Sequence, residues 1–277
     1  MSMNTIVVPC DLSTETDSAL SVAVDIARTS GATIQLVHSV VYPLPVPAYA
    51  EAATIAVNRT LEECQAIEQA ARTTLERLAA NETYKGITIV PVLLTNGEGL
   101  VHNITEQSAD LIVMTSEGAT GLEEWLVGSN AEAIVRHAKC PVLIVKEPIA
   151  HFQPETIVCG IDIDDRLKVA QHYPFQMGKQ GLHQFLYVTT PLDNHVPEGV
   201  HDWVSEFARS QNIADFDFAV RQARNIPDGI INYAEEVNAD LIVLFTHGYT
   251  GLRHLLSGSV AEDVLNHSKK PVLVMRI

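Results

Sequence analysis

The sequence predicts an α/β protein built twice: two tandem, open, five-stranded, mostly parallel sheets, each flanked by helices. Three observations carry that expectation. A 38-residue stretch from Ala109 to Lys146 recurs without a gap from Ala239 to Arg276, with half of its positions identical. A repeat that long is one fold used twice, not a single supersecondary unit. In each half, apolar runs of strand length alternate with stretches of helical period, which is the signature of successive β-α units. Between the halves, residues 147–155 (EPIAHFQPE) carry prolines near both ends and read as a linker, giving domains over 1–147 and 155–277.

The elements follow in order. TIVVPC is the first strand and ends at Cys10-Asp11; a helix is expected from Thr16 to Ser30, stopped by Gly31. TIQLVHSVV, 33–41, is the second strand. The three prolines of 42–49 exclude a central strand or a helix there. A long helix is expected over 53–80, then a third strand, ITIVPVLL, whose Pro91 points to a sheet edge or a bulge. A short helix over 99–107 leads into the repeat. Each copy of the repeat reads as a strand (LIVM or LIVL), a Gly-containing loop ending in Gly-Ser, a helix, and a closing strand (VLIV or VLVM). The second half opens with TIVCGID, in which Asp162 stands where Asp11 stands in the first. It has about 21 fewer residues between its first and fourth strands, lost around the Pro-rich loop and the long helix. HQFLYVTT and DFDFAVRQ are its second and third strands, with helices expected near 198–210 and 227–237. The apolar last strand of each half is an exposed edge unless covered, and pairing the two would make an internal pseudo-dimer.

Composition narrows the function. With 47% apolar and 19% charged residues the chain is an ordinary globular protein, and no apolar run is long enough for a membrane span. A formal charge of −16 argues against a nucleic-acid partner. No signal peptide is read at the N-terminus, and four cysteines without a C-x-x-C pair point to free thiols, so a cytoplasmic location is expected.

Strand, Gly loop and helix start is how α/β proteins offer free backbone N–H groups to phosphate, and Ser is a favoured helix N-cap. At the crevice beyond the first and fourth strands, Asp11 or Asp162 can accept from a ribose hydroxyl or an adenine amine. On VVPCD, CGID and the Gly-x2-Gly-x9-Gly-Ser pattern, the chain resembles the universal stress protein family in its tandem form. That resemblance implies a Rossmann-like, adenine nucleotide alpha hydrolase-like fold and ATP, with or without Mg, as ligand. Matching positions are Asp11, Gly118, Gly128 and Ser129, and then Asp162, Gly248, Gly258 and Ser259. The pattern's first Gly is Thr115 in one copy and Phe245 in the other, and a side chain there crowds the ribose. The loops differ in charge: Glu117, Glu123 and Glu124 face His247, Arg253 and His254 at the same positions. The second half therefore favours phosphate, with His247 and Arg253 as added candidates, while the first has the more open ribose position.

No P-loop, nucleophile elbow or H-E-x-x-H occurs, so neither a catalytic residue nor a metal ligand is expected. His195, His201 and Asp202 are a solvated loop and helix start before they are a metal site, His38 is a satisfied core or crevice residue before it is a base, and Trp125 is a packing anchor. A nucleotide-dependent stress or interaction module, an interaction protein that has lost the nucleotide, and a slow ATPase stay open. So do a homodimer through the outer surfaces and an unidentified protein partner.

Overall fold

A computed structural model describes residues 3–13, 16–42, 50–116, 128–168, 182–192, 198–246 and 260–276. The first half contains β1 (Thr5–Pro9), α1 (Thr16–Ser30), β2 (Thr33–Ser39), α2 (Ala50–Ala79), β3 (Ile89–Leu94), α3 (Leu100–Thr105), β4 (Leu111–Thr115), α4 (Ser129–His137) and β5 (Val142–Val145). The second contains β6 (Thr156–Gly160), β7 (Leu182–Thr189), α5 (Val200–Ser210), β8 (Phe216–Gln222), α6 (Ile226–Glu236), β9 (Leu241–Thr246), α7 (Val260–His267) and β10 (Val272–Arg276). Short 3-10 turns add Glu82–Tyr84 and Asp165–Lys168. Every expected strand is present. The long helix begins at Ala50, three residues before its expected start, and its counterpart α5 has 11 residues against 30, in the region where the second half is shorter.

All ten strands form one sheet in the order β3-β2-β1-β4-β5-β10-β9-β6-β7-β8. Pairing within each half is parallel; β5 and β10 alone join antiparallel. Leu143 pairs with Leu273, the same position of the repeat, so the two copies meet about a pseudo-twofold axis. All four residues of β5 are buried, which removes the apolar edge that each half alone would expose. Pro91 lies in β3 at the sheet's end, the edge position its sequence implied.

Central strands are apolar on consecutive residues because both faces are covered. One layer joins Ile6, Val8, Leu111, Val113, Leu143 and Leu273 to Leu20, Ala23 and Ala27 of α1, Leu75 and Leu78 of α2, and Phe207 of α5. The opposite layer joins Val7, Ile112, Ile144 and Ile242 to Ile134 of α4, Tyr233 of α6 and Val264 of α7. Each fully buried Leu, Ile or Phe contributes about 1.5–3 kcal/mol before entropy is counted. Both layers cross the seam between halves. The linker joins in: Phe152 is buried in the first layer and its N–H donates to Asp25 Oδ2 at 2.7 Å.

The strand N-terminal ends carry one device twice. Asp110 Oδ2 accepts from the N–H groups of Asn4 (2.7 Å) and Thr5 (2.9 Å). Asp240 Oδ2 accepts from those of Glu155 and Thr156, both at 2.9 Å. Each aspartate starts the fourth strand of its half and pins the first strand beside it.

Candidate functional site

In the order β3-β2-β1-β4-β5, the chain leaves β1 toward β2 and returns on its other side as β4, so the crevice opens beyond the C-terminal ends of β1 and β4. Asp11 follows β1 there and is half-buried. Its Oδ1 accepts from Ser13 N–H (3.0 Å), Ser13 Oγ (2.5 Å) and the buried Thr16 Oγ1 (3.1 Å). These bonds bridge strand to helix across Leu12, whose φ of 65° costs a non-glycine roughly 1–2 kcal/mol. Beside it, Cys10 N–H donates to Val37 O at 2.8 Å and His38 Nδ1 lies 2.7 Å from Cys10 O, which makes His38 the satisfied crevice residue expected. Burial pushes the Cys10 thiol up, away from the reactive thiolate.

Across the crevice, β4 ends at half-buried Thr115 and buried Ser116. Gly128 N–H donates to Ser116 O at 2.7 Å, so the two ends of the intervening loop are pinned together and α4 starts directly beside the strand end. The N-cap is Gly128, not Ser129 as the sequence suggested; Ser129 is the first helical residue. The backbone selects Gly because its carbonyl opens the ladder, accepting from Glu132 N–H at 3.0 Å, and no side chain caps the end. The helix's own ladder leaves the N–H groups of Ser129, Asn130 and Ala131 to outside partners, with the positive end of the helix dipole behind them. Such a start can hold an anion. A half-buried carboxylate oriented by three donors faces the same crevice, so the described first-half residues fit a phosphate at one end and a hydrogen-bond donor at the other.

The equivalent place in the second half is built differently. Ile161 N–H repeats the Cys10 bond, donating to Leu186 O at 3.0 Å. Asp162, however, is exposed, and its Oδ1 accepts from the N–H of its own neighbour, Ile163, at 2.8 Å. A 3-10 turn follows. Its Asp165 accepts from Trp203 Nε1 at 3.0 Å, and Lys168 lies over the Trp203 ring, 5.3 Å from its centre. Lys168 also pairs with Asp165 (3.2 Å) and Glu206 (2.5 Å); those contacts hold the Asp165 carboxyl low and raise the Lys168 ammonium. Trp203 stacks on Phe207, and Phe207 meets the Phe245 ring edge-on at 5.4 Å. Phe245, which the sequence placed at the ribose position, thus packs onto α5 in the aromatic core.

Gly118, His247, Gly248, Arg253, Gly258 and Ser259 lie outside the described residues, as do Glu117, Glu123, Glu124, Trp125, His195 and His254. His201 stands edge-on to Phe218 at 6.1 Å, and no metal-binding cluster occurs among the described residues. Sequence reasoning missed Ser13 and Thr16, although an Asp followed two residues later by Ser is a readable Asx-turn signal. It also missed the Asp165–Lys168–Trp203 cluster, whose members no motif joins.

The profile described as "Universal stress protein family" matches residues 3–146 and 204–276, more than half of the chain. A universal stress protein of Mycolicibacterium smegmatis is 27% identical over 289 aligned positions, covering 98% of this chain and 96% of that protein. Another, from Methanocaldococcus jannaschii, is 51% identical over 49 residues, 18% of this chain and 29% of its own length. Among solved structures, a universal stress protein from Archaeoglobus fulgidus superposes with a TM-score of 0.66 at 18% identity, covering 99% of this chain and 96% of that one. At that identity the likeness speaks for the fold, while the profile match covers sequence in both halves. The chain belongs to the universal stress protein family.

Proposed function

We propose that this chain is a cytoplasmic regulatory module that binds an adenine nucleotide, ATP with or without Mg, in one or both crevices. Its interactions with an unidentified protein partner change with occupancy. Its two domains run over 1–147 and 155–277. The observation that carries the reading is the juxtaposition, at the β1/β4 switch point, of the oriented Asp11 carboxylate and the uncapped start of α4 at Gly128 and Ser129. In the first half, Asp11, Gly118, Gly128 and Ser129 would hold the nucleotide; in the second, Asp162, His247, Gly248, Arg253, Gly258 and Ser259. ATP supplies a phosphate for the helix start and a ribose or adenine donor for the carboxylate. Free thiols at Cys10, Cys64, Cys140 and Cys159 support the cytoplasmic placement, and no helix among the described residues is long and apolar enough to cross a membrane.

One observation favours a second reading, an interaction protein of the same fold without nucleotide: Asp11 Oδ1 is engaged by three local donors and serves the turn into α1. Calorimetric titration of the full chain with Mg·ATP separates the two. Saturable binding that Gly128→Asp removes, by placing a carboxylate at the helix start, supports the nucleotide reading for the first half. Gly258→Asp reads the second half in the same way, and equal losses from both would remove the asymmetry between halves. A wild-type chain that gives no binding heat, and carries no nucleotide when purified, leaves the second reading standing.

A further inference from the structure

The sheet has two outer edges, and they are built in opposite ways. At one end lies β3. Ile34 N–H donates to Thr88 O and Val40 N–H to Leu94 O, both at 2.9 Å, so even-numbered residues of β3 face β2. Odd-numbered residues turn their backbone groups to the open side, and Pro91 at the centre of that row has no N–H to offer. The missing donor costs the ladder nothing and blunts the edge. At the other end lies β8, which among the described residues is bonded only to β7. Ala223 N–H donates to Thr189 O at 3.0 Å, so odd-numbered residues of β8 face β7, and Phe216, Phe218, Val220 and Gln222 present N–H and C=O outward. No residue of β8 is buried and none is proline.

We propose that β8 is a self-association edge that pairs antiparallel with β8 of a second copy of this chain, about a twofold axis through Ala219. The strand's own sequence, FDFAVRQ, fixes the occupant and the register. Centred on Ala219, all seven residues find a partner, and outward-facing residues meet outward-facing residues: Phe218 with the partner's Val220, Phe216 with the partner's Gln222. The pairs between them place Asp217 opposite the partner's Arg221 at each end of the strand, in the non-hydrogen-bonded positions where side chains approach most closely. Asp217 is exposed and makes no hydrogen bond or ion pair among the described residues. Arg221 lies over Tyr233, 4.8 Å from its ring centre, pairs with Glu236 at 3.0 Å and donates from Nη1 to the Val220 carbonyl at 3.3 Å, a bond the strand pairing would exchange for one to the partner's Phe218 N–H; its five guanidinium donors can also serve a second carboxylate. A shift by two residues either way loses the facing of Asp217 and Arg221. Pro91 blunts the far end of each copy, so the arrangement closes as a dimer and does not grow into a fibre. A single strand pair is a small interface, so the association is concentration-dependent.

Sedimentation velocity on the full chain over a dilution series tests this independently of any nucleotide. The expected mass moves from 30.3 kDa toward about twice that value as concentration rises. Val220→Pro gives β8 the device β3 already has, removing one outward N–H and no bond to β7. It is expected to hold the chain at monomer mass with an unchanged far-UV spectrum. Asp217→Arg and Arg221→Asp are each expected to weaken association by roughly tenfold or more. Mixed in equal amounts, the two variants regain it, because opposite charges then face each other at both ends. A wild-type chain that stays monomeric at the highest concentration overturns the proposal. So does a dimer that Val220→Pro leaves intact, or a mixture that recovers nothing.

Discussion

The two halves agree at one end of their strands and part company at the other. At the N-terminal ends, Asp110 and Asp240 make the same pair of backbone bonds 130 residues apart. At the C-terminal ends, Asp11 gathers donors from Ser13 and Thr16 among the described residues, while Asp162 is exposed and accepts from its own neighbour. One half carries an oriented carboxylate beside an open helix start; the other carries a lysine-capped aromatic stack under its first loop. A duplicated fold thus repeats the contacts that hold strands in register and lets the C-terminal ends of its strands diverge, where connecting segments vary more freely than the elements they join.

The largest expected effect tests a pair of glycines at equivalent positions. At Gly229 an added Cβ would stand 2.6 Å from Val188 Cγ1 and 2.9 Å from Ala223 Cβ, whereas at Gly99 it would meet nothing within 4 Å. Gly229→Ala is expected to cost about 1–3 kcal/mol and Gly99→Ala to lie near zero, read from urea unfolding midpoints. Similar losses from both would mean that α3 and α6 pack alike around these two positions. Next come the crevice aspartates. Asp11→Ala removes the carboxylate partner of the buried Thr16 hydroxyl and releases the Leu12 turn, for about 1–2 kcal/mol, while Asp162→Ala is expected within ~0.5 kcal/mol. Asp110→Ala and Asp240→Ala should instead match one another in the same assay.

The smallest effect concerns the first turns of α4 and α7. Glu132 pairs with Arg136 four residues on; at Glu262 the corresponding position is Asn266, which carries no charge. Burial first, then Glu132 and Asp263, push the Glu262 carboxyl above its ordinary 4.5, with Arg136 opposing. An acid raised in the folded state binds its proton more tightly there, so stability falls as pH rises from the ordinary value through the raised one. Glu262→Gln is therefore expected to raise the thermal midpoint by about 1–2 °C at neutral pH and by nothing at pH 4 or below. A gain that persists unchanged in acid would assign the effect to packing.

Much of the fold was legible because its signals are local or repeated. The 38-residue repeat announced the duplication, and strand-length apolar runs alternating with stretches of helical period announced a parallel sheet with helices on its faces. Pro91 announced an edge, and the apolar VLIV and VLVM announced a seam. The site was legible only as a set of positions. Asp11 and Asp162 end matching strands, yet the donors around each come from the next few residues of the chain, where the halves differ. Ser13 and Thr16 supply hydroxyls in one half, and Ile163 supplies only its N–H in the other. Gly128 displaced Ser129 as the N-cap because Gly128 N–H is drawn to Ser116 O, a contact across an eleven-residue loop that no helix-start pattern contains. The Lys168–Trp203 contact spans two elements joined by neither period nor motif.

The antiparallel pairing of Leu143 with Leu273 has a consequence for geometry at large. Because every other strand pair is parallel, that one seam reverses the direction of the whole second half. Asp11 and Asp162 therefore sit on opposite rims of a single plate, facing away from each other. No one small molecule can touch both, and a protein that docks over one rim leaves the other clear. The two crevices are in this sense separate addresses on one sheet, and occupancy of one leaves the other physically unobstructed.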